Sequence, residues 1–382
     1  MVTKTEEFIA KTFMAMADGL AMGTIGPRPK IALTGMGSEL GENNVLAGAL
    51  LAAQKGVDVS YIGTQEHDGL RTVFAADAQE GHRKMEAMLE AHEVDGAVTM
   101  HFPFPIGIST IARVVTPARG RQMFIAAATG TAGTDRVESM IRNALYGVIT
   151  AKACGIFRPS VGILNIDGAR QAERALRELA ANGYDLRFAE SSRADGGSVM
   201  RGNDVLQGTP DVLVTDSLTG NVLTKMLASY TTGGIFEAMG FGYGPGIGEG
   251  YDKLILIVSR VSGAPVIAQA IAYAAELIRG QVFQVGAREF AAARKAGLAA
   301  VIEKYKTVVR GSDGETAAPP KEVVTAQLVG IEIMDLEAAV KLLWKQGMYA
   351  ESGMGCTGPV IRIAENNAAA ARMILQQKGY LA

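Results

Sequence analysis

Short apolar segments of strand length alternate with longer segments of helix length along most of this chain. The predicted strands are residues 30–34, 57–62, 96–101, 122–128, 161–165, 185–189, 211–215, 253–258 and 360–363. The predicted helices are residues 4–22, 42–55, 78–93, 106–115, 136–153, 170–181, 221–238, 264–279 and 366–377. Strands that are apolar throughout and joined by helices are typical of parallel sheets covered on both faces. The alternation therefore predicts an α/β fold with doubly wound, mainly parallel sheets.

The helix-breaking pair Arg158-Pro159 predicts a boundary between two lobes. We expect an N-terminal amphipathic helix in residues 1–25, a first lobe in residues 26–155 and 345–382, and a second lobe in residues 156–344. The C-terminal segment is assigned to the first lobe because reactive residues usually lie in clefts between lobes. The glycine-rich residues 240–250 lack the GK[ST] ending of a phosphate loop, so we predict a flexible loop there.

The predicted N-terminal helix carries an apolar stripe at helical spacing: Phe8, Ile9, Phe13, Met16 and Leu20. Such a stripe either covers the core of its own chain or docks on a partner subunit. We expect packing on the chain's own core, with docking as the alternative.

Length and composition exclude several classes of function. With 382 residues and a formal net charge of −2, the chain can bury two cores but has no basic surface typical of nucleic-acid binding. No apolar segment approaches the roughly 20 residues that cross a bilayer, so we expect no membrane partner and a cytoplasmic protein. The histidines all lie between His67 and His101, and neither they nor the two cysteines show metal-ligand spacing. We therefore predict no metal site and assign no cofactor.

One cysteine, Cys356, stands among glycines in the segment ESGMGCTGP, residues 351–359. Gly355 and Gly358 leave room for a second reactant, and the N–H groups of Thr357 and Gly358 would line an oxyanion pocket. A thiol in such a loop suits a nucleophile, while the alternative is a small apolar residue in a turn. The second cysteine, Cys154, ends a predicted helix and is expected to be buried and inert.

The segment DVLVTDSLTGN, residues 211–221, predicts an anion site. It delivers Asp216, Ser217 and Gly220 from a parallel strand to a helix N-terminus, where N–H groups and the helix dipole favour negative charge. Asn221 and Lys225 share a helix face and would add an amide donor and a positive charge. The alternative is an ordinary strand–turn–helix connection with Asp216 as the helix cap.

The same segment resembles the DGFxGNxxxK motif of the phosphate acyltransferases of phospholipid synthesis, the PlsX family, and more distantly the FPDLxxGNxxYK motif of phosphotransacetylases. Residues 31–54 (IALTGMGSELGENNVLAGALLAAQ) and 156–167 (IFRPSVGILNID) resemble two further segments of the PlsX family. The resemblance implies a two-lobed fold related to isocitrate dehydrogenase and phosphotransacetylase, a homodimer, and acyl transfer between a thioester and phosphate.

Two catalytic motifs of those families are missing. MHFPFP at residues 100–105 replaces the GNTGA turn, and AENN at residues 364–367 replaces a histidine-glycine or serine-arginine pair. GMGCTGP at residues 353–359 instead resembles the alpha subunits of component C of glycine reductase, which the sarcosine and betaine systems share. That resemblance implies an acetyl thioester on Cys356, accepted from carboxymethylated selenoprotein A and released by phosphate as acetyl phosphate. It also implies a component C beta subunit as a partner.

This chemistry assigns a pocket for phosphate near the thioester carbonyl. The predicted pocket combines the turn around Asp216 with four residues at the first strand-to-helix turn: Gly35, Gly37, Asn43 and Asn44. Lys225 is the candidate for the positive charge that lowers the pKa of the Cys356 thiol. His101, at the end of a predicted strand, would relay a proton to or from that thiol, or else pack in a loop.

Other functional classes make different demands on the sequence. A dehydrogenase would need a dinucleotide fingerprint, but after Gly35-Met36-Gly37 the third glycine comes one place late, at Gly41. A catalytically silent subunit that only supports another subunit would not need a glycine-flanked cysteine. The alternative within the resemblance is a PlsX-like phosphate acyltransferase or phosphotransacetylase that makes acyl phosphate without a covalent intermediate.

Overall fold

The computed structural model describes residues 4–22, 28–192, 196–306, 316–329, 331, 336–355, 358–378 and 380–381. In chain order its elements are α1 (Lys4–Met22), β1 (Lys30–Thr34), α2 (Glu42–Ala53), β2 (Asp58–Gly63), β3 (Arg71–Phe74), α3 (Ala78–Glu90), β4 (Gly96–Thr99), β5 (Ile108–Val115), β6 (Gln122–Thr131), α4 (Arg136–Ala153), β7 (Ser160–Leu164), α5 (Ala169–Ala181), β8 (Arg187–Phe188), β9 (Val199–Met200), α6 (Gly202–Gln207), β10 (Val212–Val214) and α7 (Ser217–Ser229). They continue with β11 (Gly244–Ile247), β12 (Ile255–Ile257), α8 (Ala264–Arg279), α9 (Val282–Lys295), α10 (Leu298–Tyr305), β13 (Ala326–Val329), α11 (Leu336–Lys345), β14 (Ala350–Gly355), β15 (Gly358–Ile363) and α12 (Glu365–Gln377).

The chain divides into two compact units. Unit 1 comprises residues 1–100, 228–242 and 253–281, and unit 2 comprises residues 101–227, 243–252 and 282–382. This division differs from the predicted lobes. Residues 101–155 and 345–382, which were expected in the first lobe, belong to the same unit as the turn around Asp216.

The sheet of unit 1 is parallel throughout, in the order β3-β2-β1-β4-β12. Its strand residues, such as Ile31, Leu33 and Val98, are fully buried, as expected for strands covered on both faces. The chain moves outward from β1 to β2 and β3, then returns to place β4 on the other side of β1. The strand order therefore reverses between β1 and β4, the usual position of a ligand crevice in such sheets.

The large sheet of unit 2 has the order β11-β5-β6-β10-β7-β8, with β9 also paired to β7. Strands β6 to β10 in this sheet are mutually parallel, whereas β5 runs antiparallel to β6 and β11 antiparallel to β5. Helix α4 packs closely on β6 and β10, because a Cβ atom on Gly147 would lie only 2.3 Å from Cγ1 of Val212. The two sheets confirm the predicted α/β class with mainly parallel strands.

A second, antiparallel sheet in unit 2 has the order β13-β15-β14. One of its faces packs with α11 and α12 around the buried residues Leu328, Ile361, Ile363 and Leu375. Full burial of one such side chain contributes about 1.5–3 kcal/mol. Strand β14 also lies against β6, which explains why the C-terminal segment belongs to unit 2.

The helix predicted at residues 106–115 is wrong. These residues form β5, which pairs with β6 from Ile108↔Thr131 to Val115↔Gln122. Because residues 108–112 are all buried, the segment shows no alternation of buried and exposed positions that would distinguish a strand period from a helix period. Its content of isoleucine, threonine and valine favours the strand.

The flexible loop predicted at residues 240–250 is also wrong, since this segment contains the buried strand β11. A Cβ atom on Gly244 would lie 1.8 Å from the carbonyl oxygen of Ile111, and one on Gly246 would lie 2.4 Å from the ring of Phe104. These glycines therefore permit close packing within unit 2 and do not mark a mobile loop.

Helix α1 does not bury its apolar stripe on the chain's own core, contrary to expectation. Ile9, Phe13, Met16 and Leu20 are 47%, 66%, 56% and 81% exposed, while the side chain of Phe8 lies outside the described residues. Docking on a partner subunit stays a hypothesis for this helix. No helix within the described ranges, α1 included, is long and apolar enough to cross a membrane.

Candidate functional site

The β10–α7 turn of unit 2 begins with a helix cap. Oδ1 of Asp216 accepts a hydrogen bond from the Thr219 amide at 2.9 Å, and Oδ2 accepts one from Oγ1 of Thr219, also at 2.9 Å. Helix α7 therefore starts at Ser217, four residues earlier than predicted. Both carboxylate oxygens of Asp216 serve the fold of the turn, so this residue is the cap of α7 and its negative charge already faces the N-terminal end of the helix dipole.

Gly220 and Asn221 hold the first turn of α7 against β6. A Cβ atom on Gly220 would lie 1.8 Å from the carbonyl oxygen of Ala127, so only glycine allows this approach. Nδ2 of Asn221 donates a hydrogen bond to the carbonyl oxygen of Ala128 at 3.2 Å. Lys225, one helical turn further on, is exposed. The sequence motif that predicts an anion site thus also meets the packing demands of this helix.

The β1–α2 turn of unit 1 is fixed by two contacts. A Cβ atom on Gly35 would lie 2.0 Å from the hydroxyl oxygen of the buried Tyr61, whose pKa is raised by burial and then by the Glu42 carboxylate. Gly37 has a φ of 96°, in the left-handed region that favours glycine, and its carbonyl oxygen accepts a hydrogen bond from Nε of Arg260 at 2.9 Å.

The two asparagines that follow this turn have different surroundings. Oδ1 of Asn44 accepts a hydrogen bond from the Ala264 amide at 2.8 Å, and its Nδ2 donates to the carbonyl oxygen of Ser262 at 3.0 Å. Asn44 therefore caps α8. Asn43 is exposed beside it.

A polar chain that the sequence did not reveal lies at the carboxyl ends of β1 and β4. Oγ1 of Thr34 donates a hydrogen bond to Oγ1 of Thr99 at 2.7 Å, and Nε2 of His82 lies 3.0 Å from the same Thr99 oxygen. Burial lowers the pKa of His82, which favours the neutral imidazole. The sequence offered one signal, a threonine at the end of each strand. The contact with His82 could not be predicted, because the position of His82 depends on the packing of α3.

His101 is half-buried and follows β4 by two residues, so the strand ends earlier than predicted. Cys154 is half-buried at the C-cap of α4 and not fully buried as expected. Within the described ranges, no cluster of three or more histidine, cysteine or acidic side chains is arranged to hold a metal ion.

The β14–β15 hairpin brings the two glycines that flank the predicted nucleophile into register, since Gly355 pairs with Gly358. Cys356 and Thr357 themselves lie outside the described residues. Gly358 is the first residue of β15. Because β14 lies against β6, and the first turn of α7 also packs on β6, the hairpin and the anion turn share one strand of unit 2.

A cavity of about 390 Å³ lies at the β6–α4 turn of unit 2, another feature that sequence reasoning missed. Its walls include Gly133, Thr134, Glu138, Arg142 and Tyr146. Nε of Arg142 donates to Oε1 of Glu138 at 2.9 Å, and burial raises the pKa of Tyr146 to about 12. The segment between β6 and α4, residues 132–135, contains one glycine and offers no clear sequence signal. Since its guanidinium already has a carboxylate partner, we assign no ligand to this cavity.

Comparison with known proteins relates the chain to acyl-transfer enzymes. It matches the family model described as Fatty acid synthesis protein over residues 29–362. It is 52% identical over 381 residues, 99% of each chain, to the glycine/sarcosine/betaine reductase complex component C subunit alpha of Peptoclostridium acidaminophilum. It is 29% identical over 249 residues to the phosphate acyltransferase of Lysinibacillus sphaericus (strain C3-41), covering 55% of this chain and 74% of that protein.

Among solved structures, a branched-chain phosphotransacylase from Enterococcus faecalis V583 aligns with a TM-score of 0.47 at 16% identity, covering 65% of this chain and 99% of that one. The family model spans most of the present sequence, and the component C relative matches it from end to end. The chain therefore belongs to the fatty acid synthesis protein family and is similar both to a component C alpha subunit and to phosphate acyltransferases.

Proposed function

We propose that this chain is an acyltransferase subunit that carries an acetyl group as a thioester on Cys356 and releases it to phosphate as acetyl phosphate. The 52% identity over 99% of both chains to a component C alpha subunit carries the proposal. Similarity to phosphate acyltransferases supports acyl transfer to phosphate as the reaction class. The donor is carboxymethylated selenoprotein A. In the loading step its C–Se bond breaks, and one carboxyl oxygen leaves as water when the thioester forms. The two electrons that convert the carboxymethyl group to an acetyl group come from oxidation of the donor's selenium and a second thiol to a selenenyl sulfide. A component C beta subunit and a second copy of this chain are its further partners.

In the release step, a phosphate oxygen attacks the carbonyl carbon of the thioester. The new bond is C–O, the bond that breaks is C–S, and the sulfur leaves with the electron pair as a thiolate. The amides of Thr357 and Gly358 would stabilise the oxyanion that forms on the carbonyl oxygen, and Lys225 would favour the thiolate. His101 would exchange the proton of the thiol.

The phosphate would bind at helix N-termini. In unit 2 the proposed anion site comprises Ser217, Gly220, Asn221 and Lys225, oriented by the cap that Asp216 forms. In unit 1 a second proposed anion site comprises Gly35, Gly37 and Asn43, and Asn44 holds its turn through contacts with α8. Both sites follow a parallel strand, so the helix dipoles and backbone N–H groups favour the anion.

Labelled acetyl phosphate tests the proposal by running the release step in reverse. We expect a stable, hydroxylamine-sensitive label on the peptide that contains Cys356. Iodoacetamide applied beforehand should prevent labelling, and prior acetylation should protect the thiol from iodoacetamide. A Cys154→Ser variant, which keeps Cys356, is the matched control and should label like the parent protein.

The alternative is a phosphate acyltransferase without a covalent intermediate, which the 29% identity to that enzyme class favours. It predicts transfer of label to an acceptor thiol with no acetyl group trapped on Cys356. That outcome would contradict the thioester mechanism and support direct transfer of the acyl group.

A further inference from the structure

The β14–β15 hairpin carries a positive charge that has no ion-pair partner among the described residues. Arg362 on β15 is half-buried, and it has no hydrogen-bond or ion-pair partner among the residues that the structure describes. Two arginines of unit 2 show the usual arrangement: Arg121 contacts Asp211, and Arg142 contacts Glu138 at 2.9 Å. Removing a charge from water is costly unless an opposite charge compensates it. An anion that is not part of the described protein would supply this compensation.

The carboxylate opposite Arg362 is used elsewhere. Glu351 is the cross-strand neighbour of Arg362 in the hairpin register. Opposite charges at such positions usually pair. Here Oε1 of Glu351 instead accepts a hydrogen bond from the Tyr349 hydroxyl at 2.8 Å, and this contact contributes to the raised pKa of Tyr349 after burial. Within the described residues Glu351 forms no ion pair with Arg362, so the guanidinium can contact a ligand.

Glycine at position 353 sets the direction of the arginine side chain. A Cβ atom on Gly353 would lie 3.4 Å from Cδ and 3.7 Å from Cγ of Arg362, so the stem of the arginine crosses this glycine. Gly353 is two residues nearer the tip of the hairpin than Glu351, which faces Arg362 directly. The side chain therefore leans toward the end where Gly355 pairs with Gly358.

We infer that Arg362 is a phosphate-binding residue of this enzyme. A guanidinium group presents two parallel N–H donors that match two phosphate oxygens, and it stays charged at every working pH. The identity of the anion rests on the proposed function, whereas the anion site itself rests on a guanidinium that has no partner among the described residues. Arg362 would hold the attacking phosphate at the end of the hairpin, in addition to the helix N-terminus of α7.

Binding of inorganic phosphate, measured by calorimetry without any acyl donor, tests this assignment. Loss of a charge-assisted bidentate contact should weaken phosphate binding roughly ten- to hundredfold in Arg362→Gln. Arg362→Lys keeps the charge but loses the planar pair of donors, so it should fall between this variant and the parent. The matched control is Arg372→Gln, which removes the same charge from an exposed position on α12 and should bind phosphate like the parent.

Equal phosphate affinity in the parent and Arg362→Gln would overturn the inference, as would a parent protein that binds no phosphate. Should Arg362→Gln fail to fold, Arg362→Lys decides: unchanged affinity in that variant counts against the assignment. The outcome is separable from that of the proposed function. An acetyl label on Cys356 with phosphate affinity independent of Arg362 removes only this inference, and the reverse pattern removes only the thioester.

Discussion

The β10–α7 turn and the β14–β15 hairpin are both part of unit 2, yet their polar residues are used in opposite ways. In the turn, Asp216 and Asn221 make hydrogen bonds that shape the protein itself. In the hairpin, Arg362 has no partner within the described part of the chain. A motif rich in polar residues can thus be largely structural, whereas we infer a ligand for the arginine of the small sheet.

The largest expected effect concerns Cys356, where we expect a substitution to remove activity and to leave stability unchanged. We expect Cys356→Ser to abolish acetyl exchange, because a hydroxyl group cannot replace the thiolate as acyl carrier. Its free energy of unfolding should stay within about 0.5 kcal/mol of the parent, as for most surface changes. Exchange assays and denaturant unfolding measure the two quantities, with Cys154→Ser as the control. Retained exchange in Cys356→Ser would contradict the thioester mechanism.

The second prediction concerns the turn as a packing element. Gly220→Ala should lower the free energy of unfolding by about 3 kcal/mol, since the new Cβ atom meets a backbone oxygen that cannot move aside. This loss exceeds the gain of about 1 kcal/mol that alanine brings inside a helix. The hairpin offers the control: a Cβ atom in Gly353→Ala would lie 3.4 Å from Cδ of Arg362 and 3.6 Å from Cγ2 of Val360, both ordinary contact distances, so this variant should cost less than about 1 kcal/mol. Similar losses in both variants would remove the distinction.

A smaller effect is expected at the cap of α7. Asp216→Ala removes both hydrogen bonds to Thr219 and should cost about 1 kcal/mol of stability. Asp216→Asn keeps an oxygen acceptor for the Thr219 amide and should cost less than the alanine variant. Thermal unfolding of the two variants provides the measurement. If Asp216→Ala leaves stability unchanged, the carboxylate has a role other than capping.

The smallest expected effect tests whether the turn also binds phosphate. Lys225→Ala should raise the phosphate concentration for half-maximal rate by roughly three- to tenfold, because its proposed role is charge complementarity. Lys341→Ala, which removes an exposed lysine from α11 in the same unit, is the control and should leave this concentration unchanged. Equal values for the parent and Lys225→Ala would move the phosphate site away from the turn.

Several features of the fold could be predicted because they are written in local patterns. The first three predicted strands overlap β1, β2 and β4, and the alternation gave the α/β class. The prediction failed at β5 and β11, where residues are buried on all sides. Periodicity reports one buried face and one exposed face, so it carries no information when both faces are buried.

At the candidate site, too, local sequence patterns were not enough to predict the role of each residue. The sequence located the segment around Asp216, but it could not distinguish a capping carboxylate from a ligand-binding one, since both need the same residue at the same place. Nothing in the sequence singled out Arg362, because whether a charged side chain has a partner depends on its neighbours in the folded chain. The contact between His82 and Thr99 likewise depends on how α3 packs on the sheet of unit 1.

Local sequence patterns were enough to predict the α/β class and the strand-to-helix turns and to locate the glycine-flanked cysteine, because backbone propensity and hydrophobic period act over a few neighbouring residues. Packing across the folded chain set which strands became neighbours and why position 220 must be a glycine. It also set that Glu351 bonds to Tyr349, while Arg362 has no partner within the described ranges. These outcomes depend on contacts between residues far apart in the chain, where packing and the desolvation of charge outweigh local preference.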